Sequence, residues 1–226
     1  MKKRLFFGLI SCAYLSLWIS CRPAKDEGFI SEGAITYDAE VVDTDNPMAS
    51  LAPSKMVIKF KNNRSTAEMS AGMGLLSTSF ISNPDTKTFT QLIKLMNKKF
   101  SVVQNSAEIK KENELYNLEV IPTKQTKMIA GYNCKKVIIH YKGGDPSDYD
   151  VYYTTGLDIK NANFANPYYM IDGVLMEYKI KKFGLEMKFT AKSVAKQEIE
   201  DSEFELPKDY KKITEAEMTD LFIDLQ

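Results

Sequence analysis

The chain has 226 residues, with 30 basic side chains, 30 acidic side chains and a single histidine. This balance leaves no basic face for binding a nucleic acid and no strong polybasic segment for anionic lipids. No group of histidines and cysteines has zinc-ligand spacing, and no P-loop or dinucleotide-binding glycine pattern is present. We therefore expect no cofactor, no metal ion, no nucleic-acid partner and no enzymatic activity.

The first twenty residues are typical of a secretory signal peptide. Lys2, Lys3 and Arg4 form a basic start, and the following segment 5–19 is almost wholly apolar and carries no charge. It is shorter than the stretch of about 20 apolar residues that a bilayer-spanning helix needs. A basic start, a short apolar core and a small residue, here Ser20, before the cleavage point indicate export.

The pair Ser20–Cys21 resembles the lipobox of bacterial lipoproteins, in which a small residue precedes a cysteine. The resemblance implies cleavage before Cys21 and acylation of both its thiol and the new amino terminus. Cys12 also follows apolar residues and a serine, but cleavage there would leave only about seven apolar residues in the signal. Ordinary cleavage and a retained interfacial anchor are the remaining alternatives.

These features divide the chain into a signal peptide (1–20), a lipidated cysteine with its tether (21–32) and a single β-dominated domain (33–226). Two acyl chains hold a protein stably at a membrane, whereas one does so only marginally. We therefore predict an exported protein that is lipid-anchored at the outer membrane of a Gram-negative bacterium, on its periplasmic side or at the cell surface. The membrane, reached through Cys21, is its predicted partner.

Removing the signal peptide takes away three basic residues and no acidic one, so the mature chain has a net charge of about −3.

Beyond the lipidated position, Cys134 is the only cysteine of the mature chain. We predict that it is buried, since an exposed free thiol on an exported protein would oxidise. If Cys134 and His140 share one strand, they lie about 20 Å apart at 3.3 Å per residue, which excludes a Cys–His catalytic pair.

An acidic loop contains Asp145, Asp148 and Asp150. It lacks the residue order of an EF-hand calcium site and is interpreted as a solvated turn.

Apolar and polar residues alternate in many short segments of the domain, which predicts half-buried β-strands. Turn-forming residues separate the segments and no βαβ rhythm is present, so we predict an antiparallel, mainly β (α+β) fold. The predicted strands cover 33–42, 55–61, 65–71, 76–82, 87–95, 100–104, 133–141, 149–154, 173–181 and 185–194. The segment 204–210 is interpreted as short and extended, held open by Pro207. The segment 87–95 also suits a helical turn, and the charged segment 106–116 is interpreted as a solvated connector that can include one.

One helix is predicted at the C-terminus. Thr214 and Glu217 form a capping box, with the threonine at the N-cap and the glutamate three residues later. An apolar stripe with helical spacing follows, made of Met218, Leu221, Phe222 and Leu225. We expect this stripe to pack on the sheet.

Four short motifs follow one another in the second half of the chain, and their order is typical of one group of envelope proteins. They are Ala130–Lys136 (AGYNCKK), Tyr152–Leu157 (YYTTGL), Ile171–Tyr178 (IDGVLMEY) and Phe204–Tyr210 (FELPKDY). Over roughly residues 125–212 the chain resembles the GLPGLI-type envelope proteins and the wider LolA-like half-barrel group. The resemblance implies a strongly curved, half-barrel-like antiparallel sheet with an apolar concave face and helical cover, and it implies no catalytic residues.

Methionines are spread along the predicted strands, and flexible thioethers suit adaptable apolar surfaces. The candidate lining of an apolar groove is Met56, Met69, Met73, Met176, Met187 and Phe222. We therefore hypothesise a non-catalytic binding module for an apolar, lipid-like ligand. The alternative is a structural or interaction lipoprotein of the outer membrane with a closed core and protein partners. A continuous cavity of at least several hundred Å³, as opposed to a packed interior, distinguishes the two.

Overall fold

The computed structural model describes residues 29–46, 49–50, 52–71, 74–143, 148–182 and 184–223. The predicted signal peptide, Cys21, Met73 and Leu225 lie outside the described residues. No helix in the described part is long and apolar enough to cross a membrane.

The described chain forms twelve strands, two α-helices and a short 3-10 helix. The strands are β1 (Glu32–Val41), β2 (Lys55–Lys61), β3 (Arg64–Ala71), β4 (Leu76–Asn83), β5 (Thr88–Leu95), β6 (Lys98–Gln104), β7 (Leu118–Ile129), β8 (Tyr132–Tyr141), β9 (Tyr149–Thr154), β10 (Val174–Lys182), β11 (Leu185–Lys196) and β12 (Lys211–Lys212). The helices are α1 (Ser106–Leu115) and α2 (Glu215–Ile223), and the 3-10 helix covers Asp201–Phe204.

All twelve strands belong to one sheet, in the order β12-β6-β5-β4-β3-β2-β1-β11-β10-β9-β8-β7. The chain makes two meanders, β1 to β6 and β7 to β11, and the pairing of β1 with β11 joins them. The outer strands are β7 and β12, so the sheet is open. A twisted sheet of this many strands curves, and the curvature gives it an inner face that other elements cover.

The predicted fold class is confirmed: the protein is mainly β, with a C-terminal helix packed on the sheet. Its neighbouring strands are antiparallel with one exception, since β12 pairs parallel with β6. The sheet is therefore mixed rather than purely antiparallel. The parallel pair has a physical reason, because β12 reaches the edge of the sheet after a crossing segment and not through a hairpin.

This crossing segment lies on what we call the outer face of the sheet. It joins β11 to β12 and packs Ile199 and Phe204 against Ile81 of β4 and Leu92 of β5. The segment interpreted as short and extended, 204–210, belongs to no strand for this reason. Phe204 anchors the segment to the outer face at the end of the 3-10 helix, so its backbone does not pair with a strand edge.

The connector between the meanders also differs from the prediction, because α1 is a full helix. The Asn105 side chain accepts hydrogen bonds from the N–H groups of Ala107 and Glu108 at 2.9 and 3.2 Å. Glu108 returns a bond to the Asn105 N–H at 2.8 Å, which completes a capping box. The helix is short and charged, and burial of Ile109 and Asn113 fixes it against the rest of the protein.

Strand β7 was not predicted. It is an edge strand, and most of its side chains are exposed, so its sequence shows no alternation of apolar and polar residues. Its register against β8 shifts between Pro122 and Thr126. Proline and bulges are typical of edge strands.

The predicted C-terminal helix is confirmed. The Glu217 N–H bonds the Thr214 hydroxyl at 3.2 Å, and Glu217 Oε2 accepts the Thr214 N–H at 2.7 Å. Met218 is fully buried and Phe222 is 8% exposed. Both belong to a buried cluster with three partners from the sheet and its edge, namely Ile93, Val102 and Ile213.

Candidate functional site

A cavity of about 270 Å³ lies between the inner face of the sheet and the elements that cover it. We call it the apolar cavity. Its floor comes from β2 to β5, β10 and β11, and its cover comes from α1, the loop 155–173 and α2. The side chains that line it include Met56, Ile58, Ala67, Met69, Phe80, Phe89, Asn113, Tyr116, Pro167, Tyr178, Ile180, Met187, Phe189 and Phe222.

The alternation of the strands explains the first half of the floor. Ile58 of β2 lies opposite Ala67 of β3, and Ala67 lies opposite Phe80 of β4. Met56 and Met69 form the next pair along β2 and β3. Since side chains two residues apart point to the same face, these residues share the inner face. The small side chain of Ala67 lines the cavity between two larger ones.

The second half of the floor comes from the β10–β11 hairpin. Tyr178 pairs with Phe189, and Ile180 pairs with Met187. The rings of Tyr178 and Phe189 stack with centroids 5.3 Å apart. All four side chains line the cavity, so the floor continues across the centre of the sheet.

Buried amides fix the cover in place. Asn113 of α1 donates from Nδ2 to the Phe164 carbonyl at 3.1 Å, which ties the helix to the loop 155–173. Asn163 donates from Nδ2 to the carbonyls of Ile171 and Gly173, each at 2.8 Å. Since a buried amide that loses its partners is costly, these bonds hold the loop in one conformation over the cavity.

Among the described lining residues only Glu112 and Lys182 carry a charge. Lys182 Nζ lies 3.0 Å from Glu112 Oε1, and Gln104 Nε2 donates to Glu112 Oε2 at 2.6 Å. Burial raises the pKa of Glu112, but the charge of Lys182 and the two hydrogen bonds outweigh it, so this pKa is lower than usual. The carboxylate therefore stays ionised at neutral pH.

Tyr116 lies beside this pair. Its hydroxyl donates to the Lys181 carbonyl at 2.8 Å. Burial, together with the negative charge of Glu112, raises the pKa of Tyr116 to about 12. The phenol is therefore neutral at physiological pH and remains a hydrogen-bond donor.

A larger depression of about 1200 Å³ adjoins the apolar cavity. We call it the charged cleft, because its lining includes Glu108, Lys111, Glu112, Lys179, Lys181, Lys182, Glu186, Lys212 and Glu215. The cavity and the cleft share five residues, namely Glu112, Tyr116, Pro167, Ile180 and Lys182. The ion pair thus lies at the boundary between an apolar and a charged environment.

The structure brings four of the six predicted groove residues to the apolar cavity: Met56, Met69, Met187 and Phe222. Met176 does not line it. This side chain is fully buried in the main core, where the pairing of β9 with β10 shifts register between Leu175 and Glu177. Met73 lies outside the described residues.

The polar part of the site was not among the residues predicted from the sequence. Glu112 lies in the segment interpreted as a solvated connector, and nothing local distinguishes it from neighbouring glutamates. For Lys182 the sequence contains one weak indication of an inward position. It continues the alternation that places Tyr178 and Ile180 on the inner face. A lysine at an inward position of a hairpin indicates either a buried ion pair or a ligand.

Cys134 is buried, as predicted, with none of its surface exposed. Its thiol donates a hydrogen bond to the Tyr132 carbonyl at 3.4 Å. Burial raises the pKa of this thiol to about 11. Since the thiolate is the reactive form, we expect this thiol to react slowly in the native protein.

We expect thiol reagents to modify Cys134 at least a hundredfold more slowly in the native protein than in the unfolded chain. Raising the pKa of the thiol to about 11 alone reduces the thiolate fraction by about this factor near pH 8, and the lack of access to a buried group slows the reaction further. The measurement compares labelling rates with and without denaturant. Equal rates would show that the thiol is accessible.

His140 does not approach Cys134 but pairs with an acidic residue. Its Nδ1 lies 2.7 Å from Asp148 Oδ1, and both side chains are about half exposed. Asp150 pairs instead with Lys136 at 2.8 Å, and Asp145 lies outside the described residues. Among the residues with a described placement, no three His, Cys, Asp or Glu side chains form a group that could hold a metal ion.

Comparison of the sequence with family models and with curated proteins found no match. The resemblance to the GLPGLI-type and LolA-like half-barrel proteins therefore stays a prediction.

Proposed function

We propose that the chain is a lipid-anchored protein of the cell envelope that binds an apolar, lipid-like ligand and catalyses no reaction. The observation that carries the proposal is the apolar cavity, covered by α1, the loop 155–173 and α2. Its volume of about 270 Å³ is just below the usual range for small-molecule sites, about 300–1,000 Å³. The methionines in its lining suit a ligand of variable shape.

Anchoring by Cys21 is compatible with the start of the folded body. Ile30 is 6% exposed and bridges to Leu157, so it belongs to that body although it falls in the predicted tether. The segment 21–29 precedes it. At up to about 3.5 Å per residue this segment spans roughly 30 Å when extended, which is enough to hold the domain at a membrane surface.

Replacing Cys21 with serine is expected to move the protein from the membrane fraction to the soluble fraction, because no thiol remains to accept an acyl chain. Incorporation of a labelled fatty-acid analogue should disappear in the same variant. Cys134→Ser is the matched control and should keep both properties. Membrane retention with undiminished labelling in Cys21→Ser would contradict the anchor.

The binding part of the proposal is tested with an apolar fluorescent probe added to the purified Cys21→Ser chain. We expect saturable binding of one probe per chain and displacement by an added fatty acid. The alternative function, a structural lipoprotein with a closed core, predicts no saturable binding. That result would overturn the proposal.

A further inference from the structure

The Glu112–Lys182 ion pair divides the binding region into two parts of different chemistry. Within the described lining, the apolar cavity has no other charged side chain. The charged cleft on the other side adds seven, namely Glu108, Lys111, Lys179, Lys181, Glu186, Lys212 and Glu215. A ligand that fills both parts therefore needs one apolar end and one polar end.

Most carboxylates of the cleft already have partners. Glu112 bonds Lys182 and Gln104, and Glu186 lies 3.9 Å from Lys179. Glu108 accepts the N–H of the helix cap at 2.8 Å. The remaining one, Glu215, has a buried Oε2 without a hydrogen-bond partner among the described residues; burial raises its pKa, although the charge of Lys182 acts against this.

Five lysines and four glutamates line the cleft, a small excess of positive charge. Lys111, Lys181 and Lys212 line the cleft and make no ion pair with a carboxylate in the part of the chain that the structure describes. Lys182 is also held against the floor of the apolar cavity, with Nζ 5.9 Å from the centroid of the Phe80 ring. The cleft therefore favours a negatively charged group, and Lys182 is the lysine nearest to the apolar end.

We propose that the ligand is a single-chain amphiphile, with its acyl chain in the apolar cavity and an anionic headgroup, a carboxylate or a phosphate, at Lys182 in the charged cleft. This inference rests on the proposed function and adds the chemical class of the ligand. The cavity volume of about 270 Å³ suits one acyl chain better than the two chains of a membrane phospholipid. A fatty acid and a lysophospholipid share the required chemistry.

Glu112 has a definite role in this arrangement. It holds the Lys182 ammonium at the boundary in the unliganded protein, at 3.0 Å, and it competes with an incoming headgroup. Removing the carboxylate and removing the ammonium should therefore change the affinity for anions in opposite directions. A purely structural ion pair would give no such difference.

The experiment measures the affinity of the purified Cys21→Ser chain for three probes with the same acyl chain: a fatty acid, a lysophosphatidylglycerol and a neutral monoacylglycerol. In this background we compare Lys182→Met, Glu112→Gln and the double variant, which leaves neither charge unpaired. Lys136→Met is the matched control, because Lys136 is also largely buried in an ion pair, 2.8 Å from Asp150, and lines neither depression.

In the Cys21→Ser chain without further substitutions, we expect both anionic probes to bind at least tenfold more tightly than the neutral probe. Lys182→Met and the double variant should weaken anionic binding at least fivefold and leave neutral binding within twofold, whereas Glu112→Gln should strengthen anionic binding. The ratio of the two anionic affinities identifies the source, a carboxylate or a phosphate headgroup.

Equal affinity for anionic and neutral probes would overturn the inference and leave the proposed function standing. The same holds if the double variant weakens all three probes alike, since that result indicates a change in the cavity and not in the headgroup site. If none of the probes binds, the proposed function fails and the inference fails with it.

Discussion

Replacing Ala67 with tryptophan is expected to abolish binding of apolar ligands, with an affinity at least tenfold lower. Ala67 lies on β3 between Ile58 and Phe80, and its side chain lines the apolar cavity. An indole ring at this position would occupy the space that we assign to the acyl chain. Overpacking of a filled core typically costs about 1–3 kcal/mol, but here the ring enters existing free volume, so the loss of stability should be at the lower end.

The control places the same side chain on the other face of the sheet. Ser77 is on β4, four residues before Ile81 and therefore on the same outer face, and it does not line the cavity. Ser77→Trp should leave the affinity for the fluorescent probe and for the fatty acid unchanged. Undiminished binding in Ala67→Trp, measured by titration of folded protein, would show that the ligand does not occupy this cavity.

Replacing Phe222 with alanine should have two effects of different origin. The ring is 8% exposed and packs in the buried cluster of Ile93, Val102 and Met218, so its loss should lower the free energy of unfolding by about 3 kcal/mol. An isolated helix as short as α2 is marginal in water, so its stability depends on this contact. Phe222 also lines the apolar cavity, and its removal should enlarge the cavity and increase binding of an apolar probe.

Met218→Ala separates the two effects. Met218 is fully buried in the same cluster but does not line the cavity. We expect a loss of about 2–5 kcal/mol in denaturant unfolding, with probe binding unchanged. If both variants alter probe binding alike, α2 covers the cavity as a unit and Phe222 has no separate role. If neither lowers the stability, α2 is not packed on the sheet as described.

Local signals explain why much of the fold follows from the sequence. The side-chain period of a strand is two, so the inward positions of β2 and β3, including Met56 and Met69, follow from their own sequence. The capping box of Thr214 and Glu217 identifies the start of α2 in the same way. Each of these predictions depends on residues within a few positions of one another.

The parts that could not be predicted depend on contacts between distant residues. Helix α1 has few apolar residues, and it is held by burial of Ile109 and by the bond from Asn113 to the loop 155–173. The Glu112–Lys182 pair joins two residues that are 70 positions apart. Met176 follows the same alternation as the cavity-lining residues of β10, but it is buried in the main core and faces no cavity. Such distinctions depend on tertiary packing, which strand periodicity does not encode.

The central claim is that the protein carries a lipid-like ligand in the apolar cavity, and native mass spectrometry tests it most directly. The Cys21→Ser chain is purified from cells without added lipid, beside the same chain with Ala67→Trp. We predict a population of the first protein with the added mass of one single-chain amphiphile, lost after extraction with organic solvent and absent from the Ala67→Trp protein. Only the unliganded mass in both proteins, together with no uptake of added fatty acid, would contradict the account.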